Sequence, residues 1–135
     1  MSFKRMSIVI PLLVVFLFVK SLVFSAEKTP EQVYESYLFH VRKGDFRQML
    51  SYLARPLRSG FEKLDASQQE GAVKRLQDLV PINYKIIDRH VSANRAVLVF
   101  RGKAKNLKTG KYVTRGKCSF VKENGKWKIS REYWR

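Results

Sequence analysis

The sequence predicts an α+β domain in which three N-terminal helices pack on a curved four-stranded antiparallel meander. Three observations carry that expectation. Up to residue 80 the apolar residues recur at helical spacing between recognisable caps. From Ile82 onward they alternate with polar residues at the period of a strand. The turn signals "SAN", "KTG" and "NG" then cut this second part into four segments of strand length.

The first helix lies in "TPEQVYESYLFHVRKGD". Thr29 is its N-cap, Pro30 takes the first helical position, Gln32 completes a capping box and Gly44 ends it. Its buried stripe is Val33, Tyr34, Tyr37, Leu38 and Val41, with His40 at the boundary. A second, short helix is capped by Asp45, buries Phe46, Met49, Leu50 and Leu53, and is expected to end at Pro56. After a loop through "LRSGFEKL", Asp65 caps a third helix that carries Val73, Leu76 and Leu79 and stops before Pro81.

Asn124-Gly125 suits a two-residue hairpin, while Asn94 and Gly110 can each supply the left-handed position that closes a three-residue loop. These turns set Val91 opposite Arg95, Leu107 opposite Lys111 and Glu123 opposite Lys126. Counting outward puts Ile86, Phe100, Cys118 and Arg131 in one row of an inner face. Asp88, Leu98, Phe120 and Ile129 follow, then Tyr84, Gly102, Gly116 and Tyr133. The outer face reads Lys85, Arg101, Lys117, Glu132, then Ile87, Val99, Ser119, Ser130, then Arg89, Val97, Val121, Lys128. On this register "KCSFVKENGKWKISREYW" is mainly a hairpin whose aromatic residues Phe120, Trp127 and Tyr133 point into a core.

Lys4 and Arg5 precede an apolar run from Met6 to Val19, and small residues follow at Ser25 and Ala26, the layout of a secretory signal. Residues 1–25 are expected to be a signal peptide, with the mature chain, 26–135, forming one domain. The alternative is an uncleaved membrane anchor over residues 6–26. Either way the domain is expected outside the cytoplasm, secreted or periplasmic, which makes nucleic acid an unlikely partner. The one cysteine, Cys118, permits no internal disulfide and reads as a small buried side chain. No histidine, cysteine or carboxylate cluster has metal-ligand spacing and no glycine-rich phosphate loop is present, so neither metal nor cofactor is expected. Charge is divided unevenly. Residues 26–80 hold 9 Lys and Arg against 8 Asp and Glu, whereas residues 81–135 hold 15 against 3.

The helical opening "TPEQVYESYLFHVRKGDFRQML" and the closing "FVKENGKWKI", with Lys122, Asn124, Gly125, Trp127 and Ile129, resemble exported domains of unknown function in the nuclear transport factor 2-like (cystatin-like cone) superfamily. They are similar to lumazine-binding-like envelope proteins. The resemblance implies a cone-like α+β fold, shared with ketosteroid isomerases and polyketide cyclases, and spans nearly all of residues 29–134. It also implies that an enzyme of this type would keep a carboxylate or histidine in the cavity between sheet and helices. Many relatives are lipid-anchored, and the lack of a cysteine near residue 25 departs from that pattern.

Asp88, His90, Arg131 and Tyr133 are therefore the candidate pocket residues. Asp88 is the one that could shuttle a proton if burial raised its pKa. Arg131 is an oddity in a core row between Cys118 and Phe100, and must pair, reach the cone mouth or hold an anionic ligand. On the outer face Ile87, Val97, Val99 and Val121 form an apolar patch suited to a homodimer or other protein contact. Lys85, Arg101, Lys103, Arg115 and Lys117 surround it, with Trp134 at the margin, and suit an anionic lipid, a glycolipid or an acidic protein. Together these residues point to an exported, non-enzymatic binding or accessory module of the cell envelope. The alternative is a small-molecule isomerase or hydrolase using a cavity carboxylate.

Overall fold

A computed structural model describes residues 27–135. The expected signal peptide, its cleavage before Ala26 and the alternative anchor lie outside the described residues. Four helices precede the sheet: α1 (Pro30–Lys43), α2 (Phe46–Leu50), α3 (Arg55–Glu62) and α4 (Ala66–Leu79). The strands are β1 (Asn83–Val91), β2 (Arg95–Lys105), β3 (Tyr112–Glu123) and β4 (Lys126–Trp134), joined antiparallel in the order β1-β2-β3-β4.

Local chemistry accounts for the helix ends. Thr29 accepts from Gln32 N while the Gln32 side chain accepts from Thr29 N, and Gly44 closes α1 in the left-handed conformation at φ 72°. Asp45 caps α2, and Asp65 forms a second capping box with Gln68 at the start of α4. The expected count of three helices falls short by one, because Pro56 begins a helix instead of ending one. It sits in the first turn of α3, where a missing N–H costs nothing. Between α2 and α3 the chain turns at Ser51 and Tyr52 and then runs extended through Leu53 and Ala54. Leu53 bridges Ile129 in parallel, Ile129 N donates to Tyr52 O (2.8 Å), and Ala54 N donates to Ile129 O (2.7 Å).

The inner face of the sheet packs on α1. Tyr34 stacks on Phe100 with ring centres 4.6 Å apart, and Phe100 in turn stacks on Trp134 at 5.8 Å. Gly116 lies under the Trp134 indole, and a Cβ there would meet the ring at 2.5 Å, so the glycine makes the stack possible. Leu98, Phe100, Cys118, Phe120 and Ile129 are all buried, as the alternation requires.

Which residues meet across the strands departs from the expected register at three places. In β1–β2 the hairpin pairs Val91 with Ala96, one residue off, and a bulge at Ile87 restores the expected pairing from Ile86–Phe100 onward. In β2–β3 the turn holds one residue more than expected, Asn106 N donating to Lys111 O, and a bulge between Arg101 and Ala104 adds another. Between the turn and the bulge the pairs slip by one, and from Arg101–Arg115 onward by two, which leaves the side chains of that longer part on their expected faces. In β3–β4 the Asn124-Gly125 turn gives the expected pairing as far as Phe120–Ile129. An extra residue, Ser130, then flips the end of the strand.

Candidate functional site

These bulges decide the site. Asp88 and His90, expected on the inner face, are both exposed on the outer side, opposite the half-buried Val99 and Val97. They pair with each other at 3.0 Å. The backbone N–H of Arg89 and the His90 ring hold the Asp88 carboxyl below its usual pKa, the reverse of what a buried proton shuttle needs. Arg89 takes the inward direction instead and pairs with Glu31 of α1.

At the other end of the sheet, Arg131 and Tyr133 are also turned outward by the bulge, opposite Ser119 and Lys117. The Arg131 guanidinium lies 5.4 Å from the Tyr133 ring centre. Their places on the inner face go to Glu132, opposite Cys118, and to Trp134, opposite Gly116. Both are expected elsewhere from the sequence, Glu132 on the outer face and Trp134 at its margin. A signal was present, since an arginine in a core row next to a tryptophan assigned to the margin is put right by one inserted residue.

Glu132 lines a cavity of about 520 Å³ between α1, α3, α4 and β4. Its walls include Leu57, Phe61, Leu76, Leu79, Leu107 and Ile129, and the β2–β3 turn borders it at one end. There the Asn106 Nδ2 donates to Trp134 O at 2.8 Å, tying the turn to the last strand. Arg131 and Tyr133 border the same cavity at the edge of β4. Burial pushes the Glu132 carboxyl up to about 7. The Tyr34 hydroxyl and Trp134 indole lie alongside and hold the value down in part. Neither closes a full hydrogen bond, for Glu132 Oε2, Tyr34 Oη and Trp134 Nε1 are shut off from solvent and unpartnered among the described residues. Burial likewise raises the Tyr34 and Tyr37 hydroxyls and the Cys118 thiol, so all three stay protonated at neutral pH. The cavity is thus mainly apolar, with Lys105, Lys108, Arg131 and Arg135 also in its lining and one carboxyl poised between its two charge states.

The outer face is of opposite character. Lys85 stands opposite Arg101, Arg101 opposite Arg115, and Arg115 exchanges two backbone hydrogen bonds with Arg135. Four cations therefore cross the sheet in one row, and among the described residues none has an acidic partner within salt-bridge distance. The expected row held Lys117 and Glu132 instead. The two-residue slip replaced the first with Arg115, and the slip and the one-residue β4 bulge together replaced Glu132 with Arg135, removing the acidic side chain of the row. Lys117 is displaced one row along, between Val99 and Tyr133. Lys103 sits beside the β2 bulge with its ammonium 4.6 Å from the Tyr112 ring centre. In the apolar patch Ile87 is the bulged, exposed residue, Val97 and Val99 are half-buried, and Val121 has moved from opposite Val97 to opposite Arg95.

No family model and no curated protein matches the chain. Solved structures do. A SEC-C motif containing protein from Rhodopseudomonas palustris matches with a TM-score of 0.56 at 14% identity, covering 79% of each chain. A protein from Thiobacillus denitrificans described as a calcium/calmodulin-dependent protein kinase type II association domain matches at 0.54 and 12% identity, over 80% of this chain and 94% of that one. A nuclear transport factor 2-like protein of unknown function from Pseudomonas putida is a more distant neighbour, at 0.48 and 13% identity, over 77% and 81%. The likeness is one of α+β fold, with nuclear transport factor 2-like proteins of unknown function among the neighbours. Fold of this kind carries no activity with it.

Proposed function

We propose that the protein is a ligand-binding module of the cell envelope, exported by its N-terminal segment, that takes a small, largely apolar molecule into the cavity beside β4. The observation that carries this reading is Glu132: an acid pushed up to about 7 in an apolar cavity of about 520 Å³. That volume lies in the range of small-molecule sites, which pair apolar walls with a few polar groups that fix orientation. When protonated, the carboxyl can donate to a carbonyl or hydroxyl of the ligand without placing a charge against its apolar body. A neutral apolar dye such as Nile red tests this. It should bind one to one, lose at least tenfold in affinity in Leu76→Trp, and bind more weakly above pH 7, where a ligand would have to cover an ionised carboxylate. Absence of binding, or an affinity unchanged by Leu76→Trp, overturns the reading.

One observation favours an enzyme as second reading. A carboxyl near 7 is matched to proton transfer at neutral pH, so Glu132 fills the role that the sequence had offered to Asp88. Under that reading Glu132→Gln abolishes turnover of a bound substrate and leaves its binding intact, whereas a binding module has no turnover to lose.

A further inference from the structure

We infer that the tip of the β2–β3 hairpin is a docking surface for a bilayer with anionic phosphate headgroups, and that it sets the cavity mouth against the lipid. The second clause rests on the cavity reading above; the docking does not. Residues 101–117, "RGKAKNLKTGKYVTRGK", contain seven Lys and Arg and no Asp or Glu. Of these, Lys105 alone has an acidic partner among the described residues, Asp78 at 3.8 Å. Arg101 and Arg115 belong to the four-cation row, which lies a few residues down the hairpin from its turn.

Charge by itself would suit any polyanion. Two exposed apolar groups at the same tip narrow the choice. Leu107 is 59% exposed and Tyr112 55% exposed, with the ammonium groups of Lys103 and Lys105 at 4.6 and 5.7 Å from the Tyr112 ring centre. A soluble phosphate or nucleic-acid backbone gains nothing from an exposed leucine. A bilayer interface accommodates all three types, since aromatic rings sit at headgroup depth, leucine enters the acyl boundary and lysine stems reach back to phosphate. Leu107 is not exposed through a slack loop. Asn106 Oδ1 accepts from Lys108 N (2.9 Å) and Thr109 N (3.1 Å), Gly110 N donates to Asn106 O (2.9 Å), and Gly110 takes the left-handed φ of 68°. The turn is thus held in the shape that presents the side chain, so little ordering entropy remains to be lost on docking. Leu107 and Lys108 also border the cavity, which places the apolar interior next to the surface that would meet lipid.

The test uses the full chain with an environment-sensitive fluorophore on Leu107→Cys; Cys118 is fully buried and takes no label. Phosphatidylglycerol vesicles should shift its emission to the blue, and phosphatidylcholine vesicles should not. Each basic residue near an anionic surface is worth about fivefold in partitioning, so Lys103→Ser, Lys108→Ser and Lys111→Ser together should weaken it by about 10²-fold. Removing the same charge from the helical half of the chain, as Lys63→Ser, Lys74→Ser and Arg75→Ser, should cost only a few-fold, and any contribution of the N-terminal segment is common to both variants. No shift at position 107, equal losses in the two triple variants, or complete reversal by millimolar inorganic phosphate would overturn the proposal. Leu76→Trp separates the two readings. If it leaves Nile red uptake unchanged while docking persists, the cavity reading fails and the docking surface stands.

Discussion

The two faces of one sheet solve opposite electrostatic problems with alternate residues of the same strands. The inner face holds one carboxyl, Glu132, among Phe100, Cys118, Trp134 and the helices, and its cost is desolvation. The outer face holds Lys85, Arg101, Arg115 and Arg135 in water, and its cost is mutual repulsion. One half-buried carboxyl with its Oε2 shut off from water outweighs several solvated neighbours, because water screens the outer charges and is kept from the inner one. The comparison therefore predicts large effects inside, tunable ones at Glu132 and small ones outside.

The largest effect is expected at Ile129, which is 1% exposed and packs opposite Phe120 while its backbone bridges Leu53. Ile129→Ala should cost about 2–5 kcal/mol in chemical denaturation, as buried aliphatic truncations do. Ser130, one residue on, should cost about 1 kcal/mol as Ser130→Ala, because its hydroxyl donates across the bulge to Ser119 O at 3.1 Å. Equal losses at the two positions would mean that the strand is not sided as described.

Next comes the pH dependence of the inner carboxyl. The folded protein holds the Glu132 proton up to about pH 7, whereas the unfolded chain releases it near 4.5. The protonated acid's contribution is therefore fully present below about 4.5 and is lost as pH rises through 7. The total is on the order of 3 kcal/mol between those limits. Glu132→Gln should remove this slope, and the wild-type and variant denaturation midpoints should diverge as pH rises from 4.5 to 7. Parallel midpoints across that range would show Glu132 to be solvated, and the contrast between the faces would collapse.

How much of this was legible in the sequence follows from the same bulges. Caps, turns and alternation located α1, α4 and all four strands, because each depends on residues close in the chain. Pro56 misled, since proline both ends one helix and begins the next, and only the bridge of Leu53 to Ile129 shows which. In β2–β3, two one-residue departures summed to two and left the faces intact, so Leu98, Phe100 and Cys118 were read correctly from a wrong register. In β1–β2 and β3–β4 a single extra residue changed parity over one end of each strand. Asp88 and His90 were thereby exchanged for Arg89, and Arg131 and Tyr133 for Glu132 and Trp134. Neither Ile87 nor Ser130 is a glycine or an asparagine that would announce a bulge. What fixes them is packing at a distance: the Glu31 partner for Arg89, and the Phe100 stack and Gly116 hollow for Trp134.

The smallest effect is expected on the outer row, and its sign is the informative part. Arg115 stands between Arg101 and Arg135, so it faces a like charge on both sides. Threonine suits a strand as well as arginine does, and removing a like charge directly opposite another is worth about 0.2–1 kcal/mol. Arg115→Thr should therefore raise stability by up to about 1 kcal/mol at low salt. The gain should vanish near 1 M salt, where the screening length falls to about 3 Å. Replacing Arg101 as well should add less than the first change, because the two residues share one repulsion. A loss of stability at low salt would mean that the guanidinium stems contribute more by packing on the sheet than their charges cost. The row would then be a feature of the fold, and the case for an anion lying across it would have to rest on the hairpin tip alone.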